Sequence, residues 1–170
     1  MESHQRNRGT IAMEWPTAIA ARIRIDVSPA QARAWFLALG DHPERYRFGS
    51  HDGFTFTRGS FGTVGACFET QERFGFIRLT LRFELTRVTS QQFSFLLRHP
   101  ISSIYGRFAI EPASEHSTQL ELAVGSPYLG KRLLLHLPIV HGAIRYQIQQ
   151  EVDHIRQSME ALYQEETWAS

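Results

Sequence analysis

Apolar and polar positions alternate along most of this chain, and only near its end does the period lengthen to that of a helix. In ARIRIDV, Ile23, Ile25 and Val27 fall on one face and Arg22, Arg24 and Asp26 on the other, which predicts a half-buried strand over Arg22–Val27. Ser28-Pro29 supplies an N-cap and a first-turn proline for a short helix, Pro29–Leu39. Its stripe is Ala32, Trp35, Phe36 and Leu39, and Gly40 stops it. Asp41–Phe48 reads as a second short helix or a turn. Phe54 and Phe56 in alternation place a short strand over His51–Arg58.

Hairpins follow, and their registers can be worked out on paper. Val64, Ala66 and Phe68 share one face of TVGACFETQ, as Ile77, Leu79, Leu81, Phe83 and Leu85 share one face of FIRLTLRFELTR. Folding about Arg73-Phe74 sets Phe68 opposite Leu79, Ala66 opposite Leu81 and Val64 opposite Phe83, with Glu69 and Arg78 on the wet face. A slip by one residue would turn every apolar side chain into water. Phe93, Phe95 and Leu97 are expected to pair with Leu85, Phe83 and Leu81. Ile110 opposite Leu120 places Phe108 opposite Leu122 in the last hairpin. The whole predicts about seven antiparallel strands joined by short loops. From about Pro138 to Tyr163, Val140, Ile144, Ile148, Val152, Ile155, Met159 and Leu162 form one continuous helical stripe.

Composition narrows the function classes. The 170 residues, 42% of them hydrophobic, are enough for one domain with a real core. Twelve phenylalanines promise an interior rich in rings. Eighteen basic and 17 acidic residues leave a net charge of +1, without the basic stripe a nucleic-acid partner would need. Cys67 is the single cysteine, so no internal disulfide forms and a reducing, cytoplasmic setting is expected. The start, MESHQRNRGTIAMEW, has no apolar leader segment. Residues 1–19 read as a flexible tail before one domain over 20–164, and Met13 is an alternative start to Met1. Leu133–Val140 is broken by His136 and Pro138 and falls far short of the ~20 residues of a spanning helix.

A strand, a helical stretch, an antiparallel meander and a C-terminal helix resemble the order of the helix-grip fold, an α+β arrangement in which a curved sheet wraps a long terminal helix. The phrase IDVSPAQARAWFLALGDHPERY is similar to the first strand and helix start of the START-related (SRPBCC) superfamily. That group includes the major birch pollen allergen, polyketide cyclase/dehydrase proteins and lipid-transfer domains. GTVGACFETQE, with its Gly-x-x-Gly opening, and FAIEPASEHSTQLEL resemble two further segments, so the likeness spans roughly Ala20 to Leu162. It implies an apolar pocket between sheet and helix. No catalytic residue is shared across the group, so it implies no single chemistry.

The candidate pocket walls are Phe54, Phe56, Phe68, Leu79, Phe83, Phe95 and Phe108, with Ile144, Ile148 and Val152 from the helix. His99 shares the parity of Leu97 and is a candidate proton carrier, since imidazole titrates near neutrality; strand-end exposure is the competing account. Tyr105 and Arg107 alternate away from Phe108 and would reach inward only if Gly106 hosted a bulge. Tyr146 lies off the helical stripe, either lining the pocket or on the surface. His136 and His141 are five apart, not the four that sets two ligands on one helical face, and no carboxylate or cysteine joins them, so no metal or cofactor is expected. Glu69, Arg78, Arg82 and Glu84 read as a solvated charge ladder. Tyr128–Leu137 sets Leu129, Leu133, Leu134 and Leu137 beside Lys131 and Arg132. It reads as a lid, as a segment for transient membrane-surface contact, or as the first turns of the terminal helix.

Three functions fit these residues: binding or transport of a small hydrophobic molecule such as a lipid, polyketide, isoprenoid or quinone; a polyketide cyclase/aromatase-like enzyme using the same pocket; and an interaction module whose phenylalanines fill the interior. The oligomeric state is not encoded in any of these patterns.

Overall fold

The computed structural model describes residues 15–49, 51–74 and 76–168. Met1, Met13 and the first fourteen residues of the expected tail lie outside the described residues. The first strand, β1, runs Thr17–Ile25, and α1 follows at Pro29–Leu37. A 3-10 turn at Pro43–Tyr46 leads into β2, His51–Arg58. Then come β3 (Cys67–Phe74), β4 (Ile77–Val88), β5 (Gln92–His99), β6 (Ile104–Ser114) and β7 (Ser117–Gly125). Two helices close the chain, α2 over Leu129–His136 and α3 over Pro138–Trp168. All seven strands join one antiparallel sheet in the order β1-β7-β6-β5-β4-β3-β2. This is the α+β, helix-grip arrangement anticipated from the element order.

Local chemistry explains where these elements start and stop. Ser28 caps α1 in a reciprocal box: its side chain accepts from the Gln31 N–H, and the Gln31 side chain accepts from the Ser28 N–H. Removing that hydroxyl with Ser28→Ala is expected to cost about 1 kcal/mol, read as a lower urea midpoint at unchanged slope. The Leu137 backbone is extended (ψ 130°), as the residue before a proline prefers, so α2 and α3 are separate helices rather than one kinked one.

Registers agree with expectation in the last hairpin and shift elsewhere. Ile110 faces Leu120 and Phe108 faces Leu122. In the β3–β4 hairpin, however, Phe74 pairs with Ile77, so the turn is two residues long and Phe68 meets Phe83, not Leu79. The slip is four residues, an even number, so the apolar face is kept while the partners change. Val64 and Ala66 precede β3, and Val64 is exposed, because the chain turns at Gly59 and Gly65 with positive φ. Between β4 and β5, Leu85 faces Phe95 and Phe83 faces Leu97, two residues from expectation, with irregularities on either side. β1 starts earlier than the alternation over Arg22–Val27 suggested, since Ile19 and Ala21 also point inward.

The core lies between the concave sheet and α3. Trp35, Phe36 and Leu39 of the α1 region are fully buried, and Phe36 packs against Phe61, Phe93 and Phe108 with centroids 5.7, 5.3 and 4.9 Å away. From α3, Ile148, Val152, Ile155 and Met159 complete it. Glu69–Arg82 (2.6 Å) and Glu84–Arg98 (2.8 Å) pair across the outer face, each bridge exposed enough to add little stability.

Candidate ligand pocket

The phenylalanines do not fill all the space they enclose. A pocket of about 270 Å³ remains between the sheet and the first half of α3. Phe68, Leu79, Leu81, Phe83, Phe95, Phe108 and Leu122 line its sheet side. Ile144 and Ile148 face them from α3, and Leu135 reaches in from α2. Pro100, Ile101 and Ile104, around the β5–β6 connection, complete the apolar wall. Leu79 is partly exposed and marks a rim, whereas Leu122 and Phe108 are deep.

Polar residues gather at one end of this pocket, with their polar atoms turned almost wholly away from the open space. Tyr46, His51, Thr70, Glu72, Gln147 and Glu151 all contribute to its lining. His51 and Glu72 are buried, with the His51 Nδ1 2.8 Å from Glu72 Oε1 but its N–H not aimed along a good hydrogen bond. On its other side, His51 Nε2 lies 3.8 Å from Glu151 Oε2. Tyr46 donates its hydroxyl hydrogen to Glu151 Oε1, and Gln147 Nε2 donates to Glu72 Oε2 at 3.2 Å. Thr70 Oγ1 is buried without a hydrogen-bond partner. Burial in apolar surroundings pushes the Glu151 carboxyl up to about 8. The imidazole is held from behind by a ring stack: Phe48 lies 4.4 Å from His51 and 4.3 Å from His154. His154, whose Nε2 is 2.9 Å from the Arg45 carbonyl, is itself pushed down, first by burial and also by the proximity of His51.

Of the expected wall residues, Phe54, Phe68, Leu79, Phe83, Phe95, Phe108, Ile144 and Ile148 line the pocket. Phe56 does not; it packs on Phe54, Phe61 and Phe68 outside it. Val152 is fully buried in the core beyond the polar end. His99 is exposed at the end of β5. Tyr105 touches the pocket wall with its ring stacked on Trp15 at 5.9 Å. Arg107 points the other way and binds Glu121 at 2.6 Å. Burial opposes ionisation of Glu121, but hydrogen bonds and charge from Arg107 and Arg22 outweigh it and hold the carboxyl below its usual range. Gly106 hosts no bulge, since the β5–β6 register runs unbroken past it. It leaves room for the Phe95 ring instead. Tyr146 is on the surface. Rings of His136 and His141 stack 6.1 Å apart, and among the described residues no group of three potential metal ligands converges.

The polar end combines groups that sequence reasoning missed. Glu72 and Thr70 share the parity of Phe68, so alternation alone points them inward. Gln147 and Glu151 follow Ile144 and Ile148 by three residues each, inside the helical stripe. His51 was hidden: an irregularity in the β2–β3 pairing between His51 and Gly53 turns its side chain to the side of Phe54.

No protein-family model and no curated protein sequence matches the chain. Solved structures are. A Thermus thermophilus protein, TTHA0849, superposes with a TM-score of 0.63 at 11% identity, over 85% of this chain and 97% of that one. Norcoclaurine synthase from Thalictrum flavum, solved in complex with dopamine and hydroxybenzaldehyde, gives 0.59 at 10% identity, over 86% of each chain. The di-domain ARO/CYC protein BexL gives 0.59 at 12% identity, over 83% of this chain and 45% of that one. At such identities the likeness shows the shared fold.

Proposed function

We propose that this helix-grip protein binds a small, mainly apolar molecule in the pocket between its sheet and α3. The carrying observation is the pocket itself: about 270 Å³ walled by phenylalanine, leucine and isoleucine, with a surface that is almost wholly apolar. Such sites draw affinity from buried apolar area and orientation from a few polar groups. The reading as an interaction module with a filled interior has no such support. A lipid, polyketide, isoprenoid or quinone fits the wall chemistry. Exposed Leu129, Leu133 and Leu137 beside Lys131 and Arg132 support transient contact of 128–137 with a membrane surface during loading. No helix among the described residues is long and apolar enough to cross a membrane, and the single cysteine supports a cytoplasmic setting.

Native mass spectrometry before and after organic extraction tests the reading: an apolar compound should co-purify and be lost on extraction. Ile144→Trp places an indole in the space from the helix side, where Ile144 is only half-buried. It is expected to weaken binding at least about tenfold with little change in the thermal midpoint, measured by displacement of a fluorescent apolar probe. Equal affinity in this variant would mean that the ligand sits elsewhere.

A second reading, an enzyme of the polyketide cyclase/aromatase type, rests on His51 standing between two carboxylates at the end of an apolar chamber. That arrangement can accept and return protons beside a bound carbonyl. Turnover of a model poly-ketone, abolished in His51→Ala and kept in His99→Ala, would favour it over a carrier.

A further inference from the structure

We propose that the ligand enters this pocket with an unsubstituted apolar end leading, and that its hydrogen-bonding groups are confined to the end left at the mouth, beside Leu79 and Pro100. The chemical class is a one-ended molecule: a rigid or branched hydrocarbon body with hydroxyl or carbonyl groups on one edge only. This deepens the binding reading above and rests on it.

Polar residues line the pocket, but their polar atoms are engaged elsewhere or covered. Tyr46 donates to Glu151, and Gln147 donates to Glu72. Both ring nitrogens of His51 and Thr70 Oγ1 are themselves inaccessible. What the open space meets is carbon: the rings of Phe68, Phe95 and Phe108 with Leu122 and Ile148, all of them buried. A hydroxyl or a charge carried to those walls gives up its water and finds no partner. Hydrocarbon carried there leaves water and gives up nothing.

Exposure along the lining is uneven. Leu79 and Pro100 line the space and are exposed, and Leu81, Ile101 and Ile144 are half-buried. Water therefore reaches the pocket on that side, and a polar group held there keeps its hydration. This asymmetry sets the order of entry, hydrocarbon first and polar edge last. Size follows from volume. An apolar cavity of about 150 Å³ lined by leucine, isoleucine and phenylalanine takes benzene. At about 270 Å³ the body that fits is nearly twice as large, about two fused rings or a branched chain of about ten carbons.

Two naphthalenediols of the same composition separate the ends. The 2,3-isomer carries both hydroxyls on one edge, and the 2,6-isomer carries one at each end. Each is titrated into the full-length protein at pH 7 and followed by naphthalene emission, with naphthalene itself as the reference. The 2,3-isomer is expected to bind at least about tenfold more tightly, a difference of about 1.4 kcal/mol or more, because only the 2,6-isomer must bury a hydroxyl. Thr70→Val, which exchanges the covered hydroxyl for a methyl, should leave that ratio unchanged within about threefold. Circular dichroism of that variant establishes that it is folded, and should it not fold, the wild-type ratio alone decides. A smaller wild-type ratio, with naphthalene bound, overturns the one-ended assignment and leaves the pocket reading intact. A larger change of ratio in folded Thr70→Val also overturns it, since that hydroxyl would then reach the ligand. Failure of naphthalene and both diols to bind overturns the assignment, and overturns the binding reading too where no apolar compound co-purifies.

Discussion

Between pH 4.5 and about 8 the wild-type protein is expected to lose stability as pH rises, and Glu151→Gln to abolish most of that loss. The sign follows from proton binding. In the unfolded chain the carboxyl releases its proton near the ordinary value of 4.5, whereas in the folded protein burial holds it to about 8. Over that window the folded state therefore binds more protons than the unfolded one, and stability falls with pH. Below 4.5 both states are protonated, and above 8 both are ionised, so the contribution is flat at each end. The slope can reach at most about 1.4 kcal/mol per pH unit. Across the window the total is on the order of a few kcal/mol. Glutamine keeps the oxygen that Tyr46 donates to and has no charge to bury. Urea midpoints at pH 5, 7 and 9 should converge for wild type and variant at the acid end and diverge at the alkaline end, the variant being the more stable. Parallel profiles would show that Glu151 ionises normally. Glu121, held low by Arg107 and Arg22, acts outside this window: its contribution is present above 4.5 and is lost as pH falls below it.

Gly106→Ala is expected to destabilise the fold and to close the pocket together. A Cβ built on Gly106 would lie 2.0 Å from Phe95 Cε2 and 2.3 Å from Cζ, far inside contact distance. Phe95 sits directly across from Gly106 in the β5–β6 pairing, so the ring covers the glycine. It is also packed against Phe68, Phe83 and Phe108, at 6.1, 5.4 and 5.6 Å, and those neighbours block retreat within the sheet face. The open direction is the pocket. Overpacking of this kind costs about 1–3 kcal/mol. The displaced ring should also lower probe affinity by about tenfold or more, a loss of about 1.4 kcal/mol. Phe95→Leu in the same background should restore folding stability, because the smaller side chain no longer needs the vacant site. Loss of stability with binding unchanged would place the ring's escape route outside the ligand space.

How much of this could be read from the residues depends on what each pattern measures. Alternation reports the face of a side chain, and the faces of Phe68, Phe83, Phe95 and Phe108 came out of it intact. It reports partners only through the turn, and a two-residue turn at Phe74–Ile77 moved the β3–β4 pairing by four positions without disturbing a face. Parity does not fix exposure at a strand end: His99, the last residue of β5, is exposed, whereas His51, the first of β2, is buried. Arg107 found Glu121 across the strand pair on the outer face, an ordinary cross-strand ion pair. The polar end was half legible: Glu72 and Glu151 sit at inward positions of a strand and a helix, where a carboxylate is unusual enough to note. His51 could not be read, because a break in strand pairing reverses parity and leaves no mark in composition.

Glu151 and Gln147 belong to α3, whereas Tyr46, His51 and Glu72 belong to the strands and the turn beside them. The bonds among them are thus rivets between helix and sheet, set just behind the chamber. A descendant chain that recut the chamber at these positions would loosen or tighten its own closure in the same stroke.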